Sequence, residues 1–315
     1  TLQNIDAHGH DALDIRRCVL GNGTHISVLV SSLTGCHANG FDSQAFIAWN
    51  GGGPYWIEGN VLEGAGENVM FGGADPDSPE AIPADITFRN NTVRKPPEWR
   101  NLPWSVKNLF EIKTATRVLI ENNVFENSWP DAQDVGINIK SVNQDGGSNG
   151  AWSKATDIVF RRNTVRNVPT ALSLAASPRE PVAEVLSRVL IEDNIFREAG
   201  NHNPYGGGKA PRAILILDDI KDLTVQHNEW YGDFQNQVVF EGGGKTNFVF
   251  INNIVGEANY GFQNAATLTS LAPKATVRGN IFAPATWNQN LPSGNCVAWP
   301  PTGAAGCLAA GRRNN

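Results

Sequence analysis

The sequence predicts an all-β fold: a right-handed parallel β-helix, a solenoid of roughly 8–10 coils with loop insertions. Three observations predict it. An asparagine-centred pattern recurs along the chain, a second family of short alternating strands lies between its copies, and the composition lacks helical periodicity.

The recurring pattern is three or four residues of apolar alternation, a polar pair, an asparagine and two apolar residues. It reads Tyr55-Trp56-Ile57-Glu58-Gly59-Asn60-Val61-Leu62, then Ile86-Thr87-Phe88-Arg89-Asn90-Asn91-Thr92-Val93, and continues through copies centred on Asn123, Asn163, Asn194, Asn228, Asn253 and Asn280. Ser32 marks a candidate earlier turn. Successive asparagines are 31, 32, 40, 31, 34, 25 and 27 residues apart. A solenoid tolerates this scatter when the extra residues leave as loops from a corner. Leucine-rich repeats would keep tighter periods, and propeller blades would need about 40 residues with four strands each. At a bend, asparagine tolerates left-handed backbone angles. Stacked on itself, its amide donates to one neighbour and accepts from the other. These asparagines are therefore read as structural.

The second strand family occupies 45–49, 69–71, 109–113, 136–140, 171–174, 213–217 and 238–241. Period-2 alternation turns Phe110/Ile112, Ile137/Ile139 and Leu172/Leu174 inward, and Glu111/Lys113 and Asn138/Lys140 outward, one coil above the other. Gly/Pro-rich segments at 72–84, 94–106, 143–153, 176–187 and 200–211 read as loops leaving the coils. The domain reading is one β-helix over residues 1–285, followed by a capping or irregular tail over 286–315.

Charged residues make up 18% of the chain, and Ala/Glu/Lys/Leu runs at helical spacing are absent, which excludes helical repeats and coiled coils. A net charge of −6 argues against nucleic acid as partner, since phosphates reward clustered Lys and Arg. No apolar run approaches the ~18 residues that span a bilayer, so no membrane partner is expected. The N-terminal residues Thr1-Leu2-Gln3-Asn4 lack the charged and apolar regions of an export signal, so either a signal has been removed or the chain begins inside a longer protein. The cysteines fall in two terminal pairs, Cys18/Cys36 and Cys296/Cys307. Four cysteines allow three connectivities, and reduced thiols are the competing reading, but clips at both ends suggest an oxidising compartment.

The coil pattern resembles bacterial right-handed parallel β-helix proteins of the pectate-lyase-like superfamily. Added to it are the stretches Leu62 to Pro76 and Val106-Lys107-Asn108-Leu109-Phe110-Glu111-Ile112-Lys113, with Asp131-Ala132-Gln133 and Asn143-Gln144-Asp145-Gly146-Gly147. The resemblance covers roughly residues 15–285 and implies the scaffold and carbohydrate handling more than any reaction, because lyases, hydrolases, epimerases and adhesins share it. The polygalacturonase set of Asn-Thr-Asp, Asp-Asp, Gly-His-Gly and Arg-Ile-Lys is absent, as is a pectate-lyase arginine signature. Ala7-His8-Gly9-His10-Asp11 matches Gly-His-Gly only superficially.

Three groups carry candidate chemistry. The first is the outward row Glu111, Lys113, Asn138 and Lys140, extended by Ser173 and Glu241. A uronate lyase needs a base for the C5 proton and a cation for the sugar carboxylate. Lys113 and Lys140, beside one another on consecutive coils, suit both tasks. The plain alternative is a surface ladder in which Glu111 balances the lysines. The second group is the loop acids Glu63, Glu67, Asp75, Asp77, Asp131, Asp134 and Asp145. Among them Asp134 is a candidate acid or base, and Asp75 with Asp77 a candidate Ca²⁺ site. The third is the loop tryptophans Trp49, Trp99, Trp104, Trp129 and Trp152, whose flat apolar faces suit sugar rings. Trp49, Trp104, Trp129 and Trp152, with Asn138, are taken as substrate-binding. His8 and His10 form a weaker metal pair.

The expectation is a secreted, extracellular or periplasmic, monomeric carbohydrate-active protein. It would be a polysaccharide lyase or glycoside hydrolase acting on an acidic or plant-derived polysaccharide or oligosaccharide. The competing expectation is a non-catalytic β-helix for glycan binding, adhesion or cell-surface structure.

Overall fold

The computed structural model describes residues 1–10, 13–145, 150–176, 183–263 and 265–304. They form a right-handed parallel β-helix built of three parallel sheets. Sheet I carries ten strands along its path, from Leu2–Gln3 to Thr276–Arg278, which gives ten coils; sheets II and III carry eleven and eight strands. One representative coil runs from Ala84–Arg89 in sheet I, across a tight bend, to Thr92–Arg94 in sheet II. It continues through a long connection to Phe110–Ile112 in sheet III, and the chain then enters the next sheet I strand, Ala115–Glu121.

The bend between sheets I and II holds the asparagines. Nδ2 of each donates to Oδ1 of the next, from Asn60 to Asn91 (2.9 Å) and on through Asn123, Asn163, Asn194, Asn228, Asn253 and Asn280 at 2.9–3.1 Å. Its second proton goes to a main-chain carbonyl one coil back, as from Asn163 to Ile120 (3.0 Å). Each Oδ1 also takes a backbone N–H from the preceding rung, so the buried amides are satisfied on both sides. Two expectations are corrected. The left-handed residue is the one before the ladder asparagine: Gly59, Asn90, Asn122, Arg162, Asp193, His227, Asn252 and Gly279 have φ between 53° and 72°. The earlier rung is Ser31, not Ser32: the Ser31 amide donates to Asn60 Oδ1 (2.9 Å) and its hydroxyl accepts from the Ile5 amide (3.1 Å). The ladder also reaches into the tail. Asn280 donates to Asn295 (2.8 Å), and Cys296–Val297 pairs with Ile281–Phe282.

Inside, one aromatic per coil stacks on the next: Phe88 on Phe125 (6.2 Å between centroids), Phe125 on Phe160 (5.8 Å) and Phe196 on Trp230 (4.9 Å). Each such ring contributes about 1.5–3 kcal/mol by burial alone. Outside, in-register stacking would set like charges about 4.8 Å apart, and the sequence avoids this by alternating sign. Glu58, Arg89, Glu121, Arg161 and Glu192 form one such column. A second runs Asp85, Arg117, Asp157, Arg188, with bidentate Arg117–Asp85 and Arg188–Asp157 pairs. Arg117 holds the carboxyl of Asp85 below its usual range.

Cys18 and Cys36 are bonded to each other. Cys296 is also disulfide-bonded, and Cys307, its expected partner, lies outside the described residues. Composition gave no sign of the short helix Ala265–Leu271.

Lys245 gives a stability signal that depends on pH. Its buried ammonium donates to the carbonyls of Glu241 (2.7 Å) and Gly243 (2.6 Å). Burial pushes its pKa down to about 8, against the pull of Asp218, Asp219 and Glu241. An unfolded lysine titrates near 10.4, so between about 8 and 10 the unfolded chain binds more protons and stability rises with pH. Below about 8 both states carry the charge and the contribution is flat. Urea unfolding at about pH 7.5 and 9.5 should show this rise in the native protein and lose it in Lys245→Met. Equal pH slopes in the two proteins would overturn the assignment.

Candidate functional site

Sheet III is the sheet from which long loops leave at both edges, and over its middle coils one outward column is buried as well as the inward face. Phe110, Ile112, Ile137, Ile139, Leu172 and Leu174 point into the core as the alternation requires. The outward column runs Ile47, Met70, Glu111, Asn138, Ser173, one residue per coil, and each is at most 7% exposed. A carboxylate in such a column has lost its water and needs partners.

Glu111 has them on one oxygen only. Its Oε1 accepts from Lys140 Nζ (2.7 Å) and Asn138 Nδ2 (3.1 Å). Oε2 is buried and has no partner among the described residues. Lys140 comes from the neighbouring column, where Ile112 and Ile139 are in register, so that Lys113 and Lys140 follow at matched positions. Lys113 is half-buried and its ammonium makes no ion pair or hydrogen bond among the described residues. Gly72, at φ +130°, gives it room: a Cβ there would lie 2.5 Å from that of Lys113. The sequence row thus holds a Lys140–Glu111 pair, a carboxylate oxygen without a donor among the described residues, and a second lysine two residues along the strand from Glu111. An orphaned buried acceptor costs about 1–3 kcal/mol, and this oxygen is the unsatisfied atom of the set.

The other sequence candidates fall elsewhere. Ser173 continues the Glu111 column one coil above Asn138. Glu241 is in the Lys140 column but beyond Ala175 and Leu217, so it is not part of the set. Asp134 precedes the strand Val135–Lys140, about 13 Å of extended chain from Asn138, and its carboxyl lies against Gly208. The Asp75 carboxylate accepts from the Gln144 and Asp145 amides and the Ser153 hydroxyl, all at 2.8 Å, which fastens one loop to another. Asp77 exchanges two hydrogen bonds with Asn50. Among the described residues no group of three or more His, Cys, Asp or Glu side chains is arranged to hold a metal, and His8 bonds Thr34 (2.8 Å).

The tryptophans divide. Trp99, Trp104 and Trp129 join a satellite cluster with Ala65, Val106 and Tyr205. Trp104 stacks on His37 (4.0 Å), Trp99 meets that imidazole edge-on, and Trp129 packs against Tyr205. Trp49 lies half-buried under the Arg17 guanidinium (5.0 Å). Trp152 is half-buried, and its indole N–H has no partner among the described residues.

Sequence reasoning missed the buried Lys95, whose ammonium lies in a cage of four carbonyls and the Asn68 amide oxygen. The only signal was a lysine immediately after a sheet II strand, with two prolines following. Comparison with family models, curated proteins and solved structures gave no match.

Proposed function

We propose that the chain is a secreted member of the pectate-lyase-like group that cleaves an acidic polysaccharide by β-elimination on the outward face of sheet III. The observation that carries this reading is the buried Glu111 carboxylate with one oxygen held by Lys140 and Asn138 and the other without a donor. A uronate carboxylate pairs with the Lys113 ammonium, which makes the C5 proton more acidic. Once the cover over Glu111 moves aside to admit the polymer, Oε2 takes that proton, the C5 electron pair forms the C4–C5 double bond, and the C4–O bond breaks with its electrons leaving on the glycosidic oxygen, which water protonates. Lys140 and Asn138 orient the Glu111 carboxylate through its other oxygen. The row carries one carboxylate and two ammonium groups, whereas a hydrolase needs a facing pair of carboxyls, so a lyase fits better. The Cys18–Cys36 bond supports an oxidising, extracellular or periplasmic setting.

The test is incubation with a panel of uronate polymers, read by the ultraviolet absorbance of unsaturated products. Glu111→Gln should lower the rate about 10²–10⁴-fold on the polymer that reacts, and Lys113→Ala should raise KM and lower kcat. Full activity in both variants would overturn the site, and no product from any polymer would overturn the lyase. A second reading, glycan binding without turnover, draws on the packing of Trp99, Trp104 and Trp129 among themselves rather than along the row. It predicts retention of a polymer with no product formed.

A further inference from the structure

The outward face of sheet II carries a column whose charges are closed in pairs until one point. Arg94 bonds Glu63 (2.8 Å), and Arg166 bonds Glu126 (2.7 Å). One coil further, Arg197 stands in register with Arg166, and the alternation of sign breaks. At the same place the sheet stops being regular. Its register shifts between Phe196 and Ala199, and again between Trp230 and Asp233 on the next coil. Bulges re-aim side chains, and these open a recess of about 430 Å³, within the range of small-molecule sites. Its floor is Gly232, where a Cβ would lie 2.5 Å from the Ala199 carbonyl oxygen.

Around the recess stand Arg197, Glu198, His202, Tyr231, Glu257 and Trp299. The side chains of Arg197, Glu198, His202 and Glu257 form no hydrogen bond or ion pair among the described residues. Glu198 adopts φ 45° at the position where the two coils before it place Asn127 and Asn167, residues that accept that conformation readily. Tyr231 and Trp299 add an aromatic wall, their rings 6.2 Å apart. An anion here would meet two carboxylates, and a cation would meet Arg197. An apolar ligand would bury four charged or polar groups without partners. A neutral pyranose satisfies all of them: its C–H face lies on the aromatic wall, and its hydroxyls donate to the carboxylates and accept from the guanidinium.

We propose that this recess is a second glycan site, for a neutral sugar with equatorial hydroxyls, on a different sheet from Glu111 and independent of any turnover there. Cellohexaose and xylohexaose, titrated calorimetrically into the native protein with an oligogalacturonate hexamer as comparison, test it. At least one neutral hexamer should bind, and the acidic hexamer, which has its own site in the proposed function, should not displace it. Trp299→Ala should weaken that binding about tenfold or more, and Arg197→Ala likewise, while Glu111→Gln leaves it unchanged. Circular dichroism checks that each variant folds, and Arg197→Ala, on an exposed position, carries the test if Trp299→Ala does not. Absence of binding by both neutral hexamers, tighter binding of the acidic hexamer lost in Arg197→Ala, or native affinity in both variants would overturn the site.

Discussion

Asn163→Ala is expected to destabilise the protein by about 4 kcal/mol, more than any single exposed substitution in the solenoid. The side chain is 1% exposed and sits in the middle of the ladder. Its Oδ1 accepts the Asn123 amide (2.9 Å) and Asn123 Nδ2 (3.0 Å), and its Nδ2 donates to Asn194 Oδ1 (3.1 Å) and the Ile120 carbonyl (3.0 Å). Alanine leaves two buried donors without an acceptor and one buried carbonyl without its donor, at about 1–3 kcal/mol for each orphan. Asn163→Asp should be no better, because a carboxylate cannot donate to Asn194 or Ile120. The half-buried rung Asn295 supplies the contrast: Asn295→Ala should cost less than Asn163→Ala, since water reaches this position and replaces part of what is lost. Pairing Asn163→Ala with Asn194→Ala should cost less than the sum of the single changes, because they share a bond. Urea unfolding with unchanged m-values reads each of these variants, the single Asn194→Ala included. A central rung no costlier than the half-buried one would show that the ladder follows the fold rather than holding it.

What was legible in the sequence follows from which features are local. The ladder was legible because every rung needs the same residue with apolar neighbours fixed by register. Asn295 escaped because only 15 residues separate it from Asn280, outside the spacing of the other rungs. The left-handed angle was assigned one residue too late because Asn90, Asn122 and Asn252 stand directly before ladder asparagines, and the two roles look alike in sequence. The Glu111–Asn138 and Lys113–Lys140 register followed from the alternation of Phe110, Ile112, Ile137 and Ile139. That Glu111 is buried did not follow. Its cover depends on the course of loops, and no periodicity encodes it. The same holds for the indoles: Trp99, Trp104 and Trp129 find His37 and Tyr205, far away in the chain, and become a small core. The recess on sheet II needed two bulges, and a one-residue irregularity is invisible to a period-2 reading.

The second large effect is expected at Lys95. Its Nζ lies 2.6–2.9 Å from the carbonyls of Gly64, Ala65 and Gly66 and from Asn68 Oδ1, with the Asn108 carbonyl at 3.4 Å. The side chain is fully buried, and burial drives its pKa well below the ordinary lysine value while the nearby Glu67 carboxylate pulls it up. The cage fixes the bend from Gly64 to Asn68, and Asn68 leads into Val69–Phe71, the strand paired with Phe110–Ile112 beneath Glu111. Lys95→Met keeps the shape and removes the donors. It should cost about 3–5 kcal/mol, since the carbonyls of the bend lose their shared partner and Glu67 loses a buried countercharge. Glu67 retains Lys107 at 3.3 Å and the Gln44 amide at 2.8 Å, so its loss is partial. Adding Glu67→Gln should therefore recover only the electrostatic share, about 1 kcal/mol, and leave the orphaned carbonyls. Urea unfolding of the two variants separates these contributions. Recovery of native stability in the double variant would mean that the ammonium serves Glu67 and not the bend. A Lys95→Met protein as stable as the native one would mean that the carbonyls find water, and that the cage does not hold the strand under the site.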